Sequence, residues 1–346
     1  MKQYKTVDLF KFICAFLIIV LHTAPFSSYS KLLTFGFRNV VTVVAVPFFF
    51  VASGFIAFSK INSLETEEEK NKYMIKHSKR LVLMYLIWSA IYFVFVLINW
   101  IQNGFTGWAL LEYVKDFFFD GSFLTIWFLP AVLTATLIVF FLRKKLSYKT
   151  IFLIAIPFYI FTLFGSSYYG LIDNVSIVGN IYDAYYSFFD SIKNGVCFGF
   201  IYVALGAYIA QNKDNIKIKN SHSIIAIAVC WVLLAIEEFG VAYFGWNDRG
   251  VDTVIMLVPM SFFMMILALN LELPGSDKFY LMCRKYSLLM FLVQRIPLTI
   301  TDRFMGKTII ATNSIIYFVV VLATTLLLSF VIIKLSEKIK AFKYLY

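Results

Sequence analysis

The first third of the chain carries three groups that could handle protons and charge: Asp8, Lys11 and His22. Asp8 and Lys11 are spaced i, i+3, which puts an acid and a base on one face of a helix. His22 follows Lys11 by eleven residues, close to three turns, so it faces the same way about 16 Å further along. Imidazole exchanges protons near neutral pH, which suits His22 to general-base work. A cation such as Lys11 offsets negative charge developing on a reacting oxygen. The acid–base pair is either a buried ion pair facing neighbouring helices or a pair of anchors at headgroup level, and His22 either serves chemistry or snorkels to the far surface. Further polar groups interrupt apolar sequence at Arg38, Lys193-Asn194, Glu237-Glu238, Asp252 and Gln294-Arg295. Of these, Gln294-Arg295 and Glu237-Glu238 are the best placed to line a cavity.

The elements that hold these groups must be membrane helices. The chain is 61% hydrophobic and 19% aromatic, with only 15% charged residues, whereas a soluble globule carries roughly a quarter charged residues. Apolar runs near 8–25, 37–59, 80–101, 123–142, 149–166, 192–211, 222–243, 251–270, 286–304 and 309–334 are each about long enough to cross a bilayer as helices. The fold class expected is therefore all-α: a polytopic bundle of about ten transmembrane helices, forming a single domain over residues 1–346, in the cell membrane. The first run carries Lys11 and His22 and lacks a small-residue cleavage site, so it reads as a retained helix rather than a removed signal.

The net charge of +11 reads as topology and gives no reason to expect nucleic acid. Most of the 31 basic residues fall in alternate connections, around Lys2 and Lys5, 60–80, 143–149, 213–219, 278–285 and 334–343. That bias places those connections, with the N and C termini, in the cytoplasm. On the other side, residues 102–122 and 167–191 are longer than turns and serve either as interfacial or acceptor-binding segments or as plain connectors. Cys14, Cys197, Cys230 and Cys283 lack paired spacing and read as small buried hydrophobes. No P-loop, GxGxxG turn, zinc cluster or GxSxG elbow is present, so neither a metal nor a permanently bound cofactor is expected.

The segment DLFKFICAFLIIVLH at 8–22, followed by VPFFFVASGF at 46–55, resembles the opening of the acyltransferase-3 family of integral membrane proteins. WFLPAVL at 127–133, KNGVCFGFIYVALG at 193–206 and SLLMFLVQR at 287–295 are each similar to a family segment, in the family's order. The resemblance implies transfer of an acyl group, commonly acetyl, from cytoplasmic acyl-CoA to a hydroxyl of a cell-envelope glycan or a lipid-linked sugar. It implies His22 as general base, with Lys11 and Asp8 beside it in the catalytic set. The donor would meet His77, Lys79, Arg80, Arg284 and Lys285, and the acceptor Ser53, Trp127, Lys193, Asn194, Gln294 and Arg295. Three departures stand out: Lys11 replaces an arginine, His77 stands at the first position of an Arg-x-x-Arg, and Thr125 and Gln294 replace two histidines. The same fold resembles the membrane part of vancomycin-resistance serine racemases, which implies an alternative: passage of a small polar substrate such as an amino acid without acyl transfer.

Overall fold

The computed structural model describes residues 4–305, 308 and 312–346. Helix α1 spans Lys5–Thr23, and a short α2 (Lys31–Phe35) runs through a wide π-turn (Gly36–Val41) towards α3 (Ala45–Ile61). The chain continues through α4 (Glu67–Asn103), α5 (Gly107–Phe119), α6 (Phe128–Arg143), α7 (Tyr148–Phe164) and α8 (Ser176–Tyr186). A second π-turn (Gly195–Gly199) leads into α9 (Phe200–Asn212), followed by α10 (Asn220–Tyr243), α11 (Leu257–Asn270), α12 (Asp277–Val293), α13 (Arg295–Met305) and α14 (Ser314–Lys338). Among the described residues there is no strand. The protein is a polytopic helical membrane bundle.

Each expected span overlaps a helix or a run of helices. Six of these are long and apolar enough to cross a membrane by themselves: Lys5–Thr23, Lys31–Ile61, Glu67–Asn103, Gly195–Asn212, Asn220–Tyr243 and Ser314–Lys338. The shorter apolar helices are α6, α7 and α11. The expected ninth span differs most: helix begins at Asp277 and is broken at Gln294. The cause is Pro297, which has no N–H to give the Val293 carbonyl. At the break, Gln294 Nε2 donates to the Phe291 carbonyl at 3.2 Å, and the Tyr92 hydroxyl donates to the Leu292 carbonyl. The tenth begins at Ser314, capped by Asn313; the expected start at 309 lies outside the described residues.

Contacts between distant segments fix which ends lie together. Lys5 pairs with Asp277 at 2.6 Å, Thr6 Oγ1 donates to the Leu271 carbonyl, and Trp88 Nε1 donates to the Leu345 carbonyl. The start of α1, the end of α11, the start of α12 and the chain's last residues therefore share one end, the end that carries the basic connections. By the positive-inside bias that end is cytoplasmic. Helix α4 has 37 residues, about 56 Å of rise against roughly 30 Å of hydrocarbon. Its first turns, started by a capping box between Thr66 and Glu69, stand clear of the membrane on that side.

The centre is a close crossing of α3 and α9. A Cβ on Gly54 would lie 2.5 Å from the Val203 carbonyl oxygen, and one on Gly206 only 2.1 Å from that of Val51. Without a hydrophobic force between helices in lipid, such small-residue contacts let backbones approach and gain dispersion energy. Helix α1 packs beside this crossing against α3, α11, α12 and α14, so its polar stripe points into the bundle.

At the far end, α8 and the connections beside it make an ordered cap. Arg249 reaches Asp183 at 2.5 Å and lies over the ring of Tyr169, while the Tyr182 and Tyr186 hydroxyls donate to the carbonyls of Phe161 and Gly165.

Candidate functional site

Lys11 and His22 share a helix but open into different cavities. The inner cavity, about 330 Å³, is lined by Lys11, Ser53, His77, Arg80, Arg284 and Lys285 over an apolar floor. The outer cavity, about 90 Å³, is lined by His22, Thr125, Trp127, Lys193 and Asp252 with apolar neighbours. Asp8 is buried at the cytoplasmic end and lines a third depression of about 220 Å³ with Lys60, Lys213 and Arg284.

His22 owes its depth to the way α1 ends. Ala24 takes a left-handed conformation, φ 43°, and its N–H closes the last turn on the Val20 carbonyl. Pro25 then prevents continuation, so His22 sits in the final turn facing the outer cavity. Arg295 Nη2 lies 3.5 Å from His22 Nδ1. It is delivered by the break at Gln294, which turns the start of α13 towards α1. A guanidinium at that distance can hold an oxyanion or a carboxylate.

Lys193 donates to Asp252 at 2.5 Å across the same cavity. The preceding loop is set by Asn194, whose Oδ1 accepts from the N–H groups of Val196 and Cys197, and whose Nδ2 donates to the Tyr185 hydroxyl. Asn194 thus shapes the loop and does not line the cavity. Several buried polar atoms near here have no hydrogen-bond partner: Thr125 Oγ1, Gln294 Oε1 and Arg295 Nε. Thr125 and Gln294 are the two positions where the sequence departs from histidine. Buried polar groups are normally satisfied; of the three, Thr125 lines the outer cavity, and its orphan hydroxyl marks that cavity as a place for a polar ligand.

The inner cavity differs in sign. Among the described residues, Arg80, Arg284 and Lys285 form no ion pair, leaving a cationic rim for an anion. Tyr346 also lines it, bringing the chain's last residue beside Lys11. Lys79 is exposed and outside the lining. Ser53, expected on the acceptor side, opens to the inner cavity instead, because it lies two turns of α3 towards the cytoplasm from Val46, which lines the outer one. Gln294 is fully buried in the helix break.

Sequence reasoning passed over Asp252 as a helix-end anchor. Only the fold sets it opposite Lys193, 59 residues away. Glu237, expected from the sequence to line a cavity, instead accepts from the N–H groups of Ile255 and Met256 and from the Tyr168 hydroxyl, and so caps the approach to α11. Among the described residues, one carboxylate group could be mistaken for a metal site: Asp116, Asp120 and Asp190. The Lys115 ammonium already lies among them, at 3.0, 3.9 and 2.7 Å. Burial still pushes the carboxyls of Asp116 and Asp120 above the usual range.

Comparison with known proteins gives the family. The acyltransferase-3 family model, described as an acyltransferase domain, matches residues 4–334. The chain belongs to the acyltransferase-3 family. It is 36% identical over 221 residues to an "Amino-acid racemase" of Enterococcus faecalis, covering 63% of this chain and 30% of that protein. A second "Amino-acid racemase" of the same species is 24% identical over 340 residues, 97% of this chain and 47% of that one. The "Serine/alanine racemase" of Enterococcus gallinarum is 24% identical over 345 residues, 98% and 47% respectively. The chain thus spans less than half the length of these relatives. No solved structure matches.

Proposed function

We propose that this protein is a cell-membrane O-acyltransferase that moves an acyl group, acetyl being the simplest, from cytoplasmic acyl-CoA to a hydroxyl of a cell-envelope glycan or lipid-linked sugar. The observation that carries this reading is the placement of a cationic cavity and a histidine cavity at opposite ends of α1, in a chain of an acyltransferase family. Coenzyme A brings several phosphate charges, and the rim of Arg80, Arg284 and Lys285, with His77 beside it, attracts them. Lys11, deeper in the inner cavity, faces the thioester end of the donor.

In the outer cavity, His22 accepts the proton of the acceptor hydroxyl as its oxygen attacks the thioester carbonyl. A C–O bond forms and the C–S bond breaks. The proton passes on to the departing thiolate, leaving free coenzyme A. Negative charge developing on the carbonyl oxygen is held by Arg295, which lies 3.5 Å from His22. Lys193, Trp127 and Thr125 orient the acceptor.

A second reading is favoured by one feature, the presence of both charge signs in so small a cavity. Lys193 in its lining and Arg295, 3.5 Å from His22, suit a carboxylate, and Asp252 in the lining suits an ammonium, the two ends of an amino acid. The curated relatives are named as amino-acid and serine/alanine racemases, and on this reading the membrane part passes the amino acid without acyl transfer. Membranes from overexpressing cells, given radiolabelled acetyl-CoA, separate the two. Label entering envelope material supports acyl transfer. Saturable serine uptake into proteoliposomes, indifferent to acyl-CoA, supports the alternative.

A further inference from the structure

The proposed donor and acceptor groups lie in separate cavities, so a closed structure must contain what separates them. On each of four helices the lining changes hands at one level. On α1, Lys11 opens inward and Ile18 outward; on α3, Ser53 inward and Val46 outward. On α12, Leu288 opens inward and Phe291 outward; at the start of α6, Phe128 opens inward and Trp127 outward. At that level stand three phenylalanines from three helices. Phe49 and Phe128 have ring centroids 6.1 Å apart, Phe49 and Phe291 5.7 Å, and Phe128 and Phe291 5.2 Å. Each is buried, with 4%, 5% and 4% of its surface exposed for Phe49, Phe128 and Phe291. Two rings belong to the inner lining and one to the outer, so the trio is the shared wall.

We infer that Phe49, Phe128 and Phe291 form a gate that closes one continuous passage between the two cavities and sets the size of the group that crosses it. An aromatic wall in mid-membrane excludes water and ions while closed. It can open without leaving unpaired polar groups, because its rings hold one another only by edge and face contact. Phe291 has the means to move: it lies one turn before the break at Gln294, and its carbonyl is bonded by the Gln294 side chain. A break of this kind is where a helix absorbs changes in backbone angle. The size-setting part rests on the acyl-transfer reading; the seal does not.

Cysteines on α3 bracket the gate, since Ser53 and Val46 are seven residues apart, about 10 Å along the axis. The four native cysteines are buried, so background labelling is measured on the unsubstituted chain. With the trio intact, a membrane-impermeant thiol reagent labels Ser53→Cys from the cytoplasmic side of oriented vesicles and Val46→Cys from the opposite side alone. Adding Phe291→Ala removes two ring contacts, and cytoplasmic labelling of Val46→Cys rises about tenfold. Phe49→Leu serves as the second opening variant if Phe291→Ala does not fold. Cytoplasmic labelling of Val46→Cys with all three rings present overturns the gate, as does unchanged one-sided labelling in a folded opening variant. In parallel, Phe291→Leu raises transfer from butyryl-CoA relative to acetyl-CoA; an unchanged ratio in an active enzyme overturns size selection. Absence of acyl transfer from every form, with the labelling pattern intact, counts against the acyl-transfer reading and leaves the seal standing.

Discussion

Substituting Gly206 by alanine tests the packing that sets the whole site. The added Cβ would lie 2.1 Å from the Val51 carbonyl oxygen and 2.7 Å from the Phe55 nitrogen. Both are backbone atoms of α3 and cannot rotate away, so α3 and α9 must separate by roughly an ångström to restore ordinary contact. Overpacking of this kind costs about 1–3 kcal/mol. Gly240 on α10 is the matched control, since a Cβ there meets nothing within 4 Å. Alanine at that position removes the helix penalty of glycine, a gain of up to about 1 kcal/mol. The two variants should therefore differ by about 1–4 kcal/mol, in opposite directions from the parent. The assay is the midpoint of unfolding of purified protein in detergent, with circular dichroism verifying that helix content is kept. Equal midpoints for Gly206→Ala and the parent would refute the close crossing. Helix α3 also carries Phe49 and Ser53, so the same variant should weaken the seal between the cavities.

Other consequences are more local. Ala24→Gly, at the left-handed end of α1, relieves about 1 kcal/mol and raises the unfolding midpoint without altering His22. Lys193→Met alone leaves the Asp252 carboxylate uncompensated and lowers stability. The double variant Lys193→Met with Asp252→Asn recovers most of the loss, and a double-mutant cycle gives a coupling of about 1 kcal/mol, modest because both groups are partly exposed. Arg284→Gln raises KM for acyl-CoA several-fold with kcat little changed, and the effect shrinks at high salt, as expected for an attracting charge.

Much of the fold was legible because lipid removes choices from a chain. Runs of apolar residues must be helices there, and the lysine bias between them sets direction, so every span overlapped its expected position. What the sequence obscured was the discontinuity at Gln294. Residues 286–304 read as one interrupted span, yet Pro297 divides it and aims Arg295 at His22. The stripe of Asp8, Lys11 and His22 was legible from helical spacing alone. The separation of Lys11 and His22 into different cavities was not, because Phe49, Phe128 and Phe291, which stand between them, arrive from distant helices and look like ordinary core residues. Ser53 illustrates the same limit: a motif gives its position on α3 but not the cavity that the neighbouring helices leave open to it. Asp252 was hidden for a related reason, since a carboxylate near a helix end commonly serves as an anchor.

The central claim is that His22 takes a proton from an acceptor hydroxyl during attack on a cytoplasmic thioester. The direct measurement uses purified protein in nanodiscs, with labelled acetyl-CoA and an envelope acceptor fraction, following labelled product and free coenzyme A together. The account predicts one coenzyme A released for each acetyl group transferred, with His22→Ala slowing transfer by about 10²–10⁴-fold and leaving acetyl-CoA binding intact. Transfer at the parent rate in a folded His22→Ala protein would contradict it.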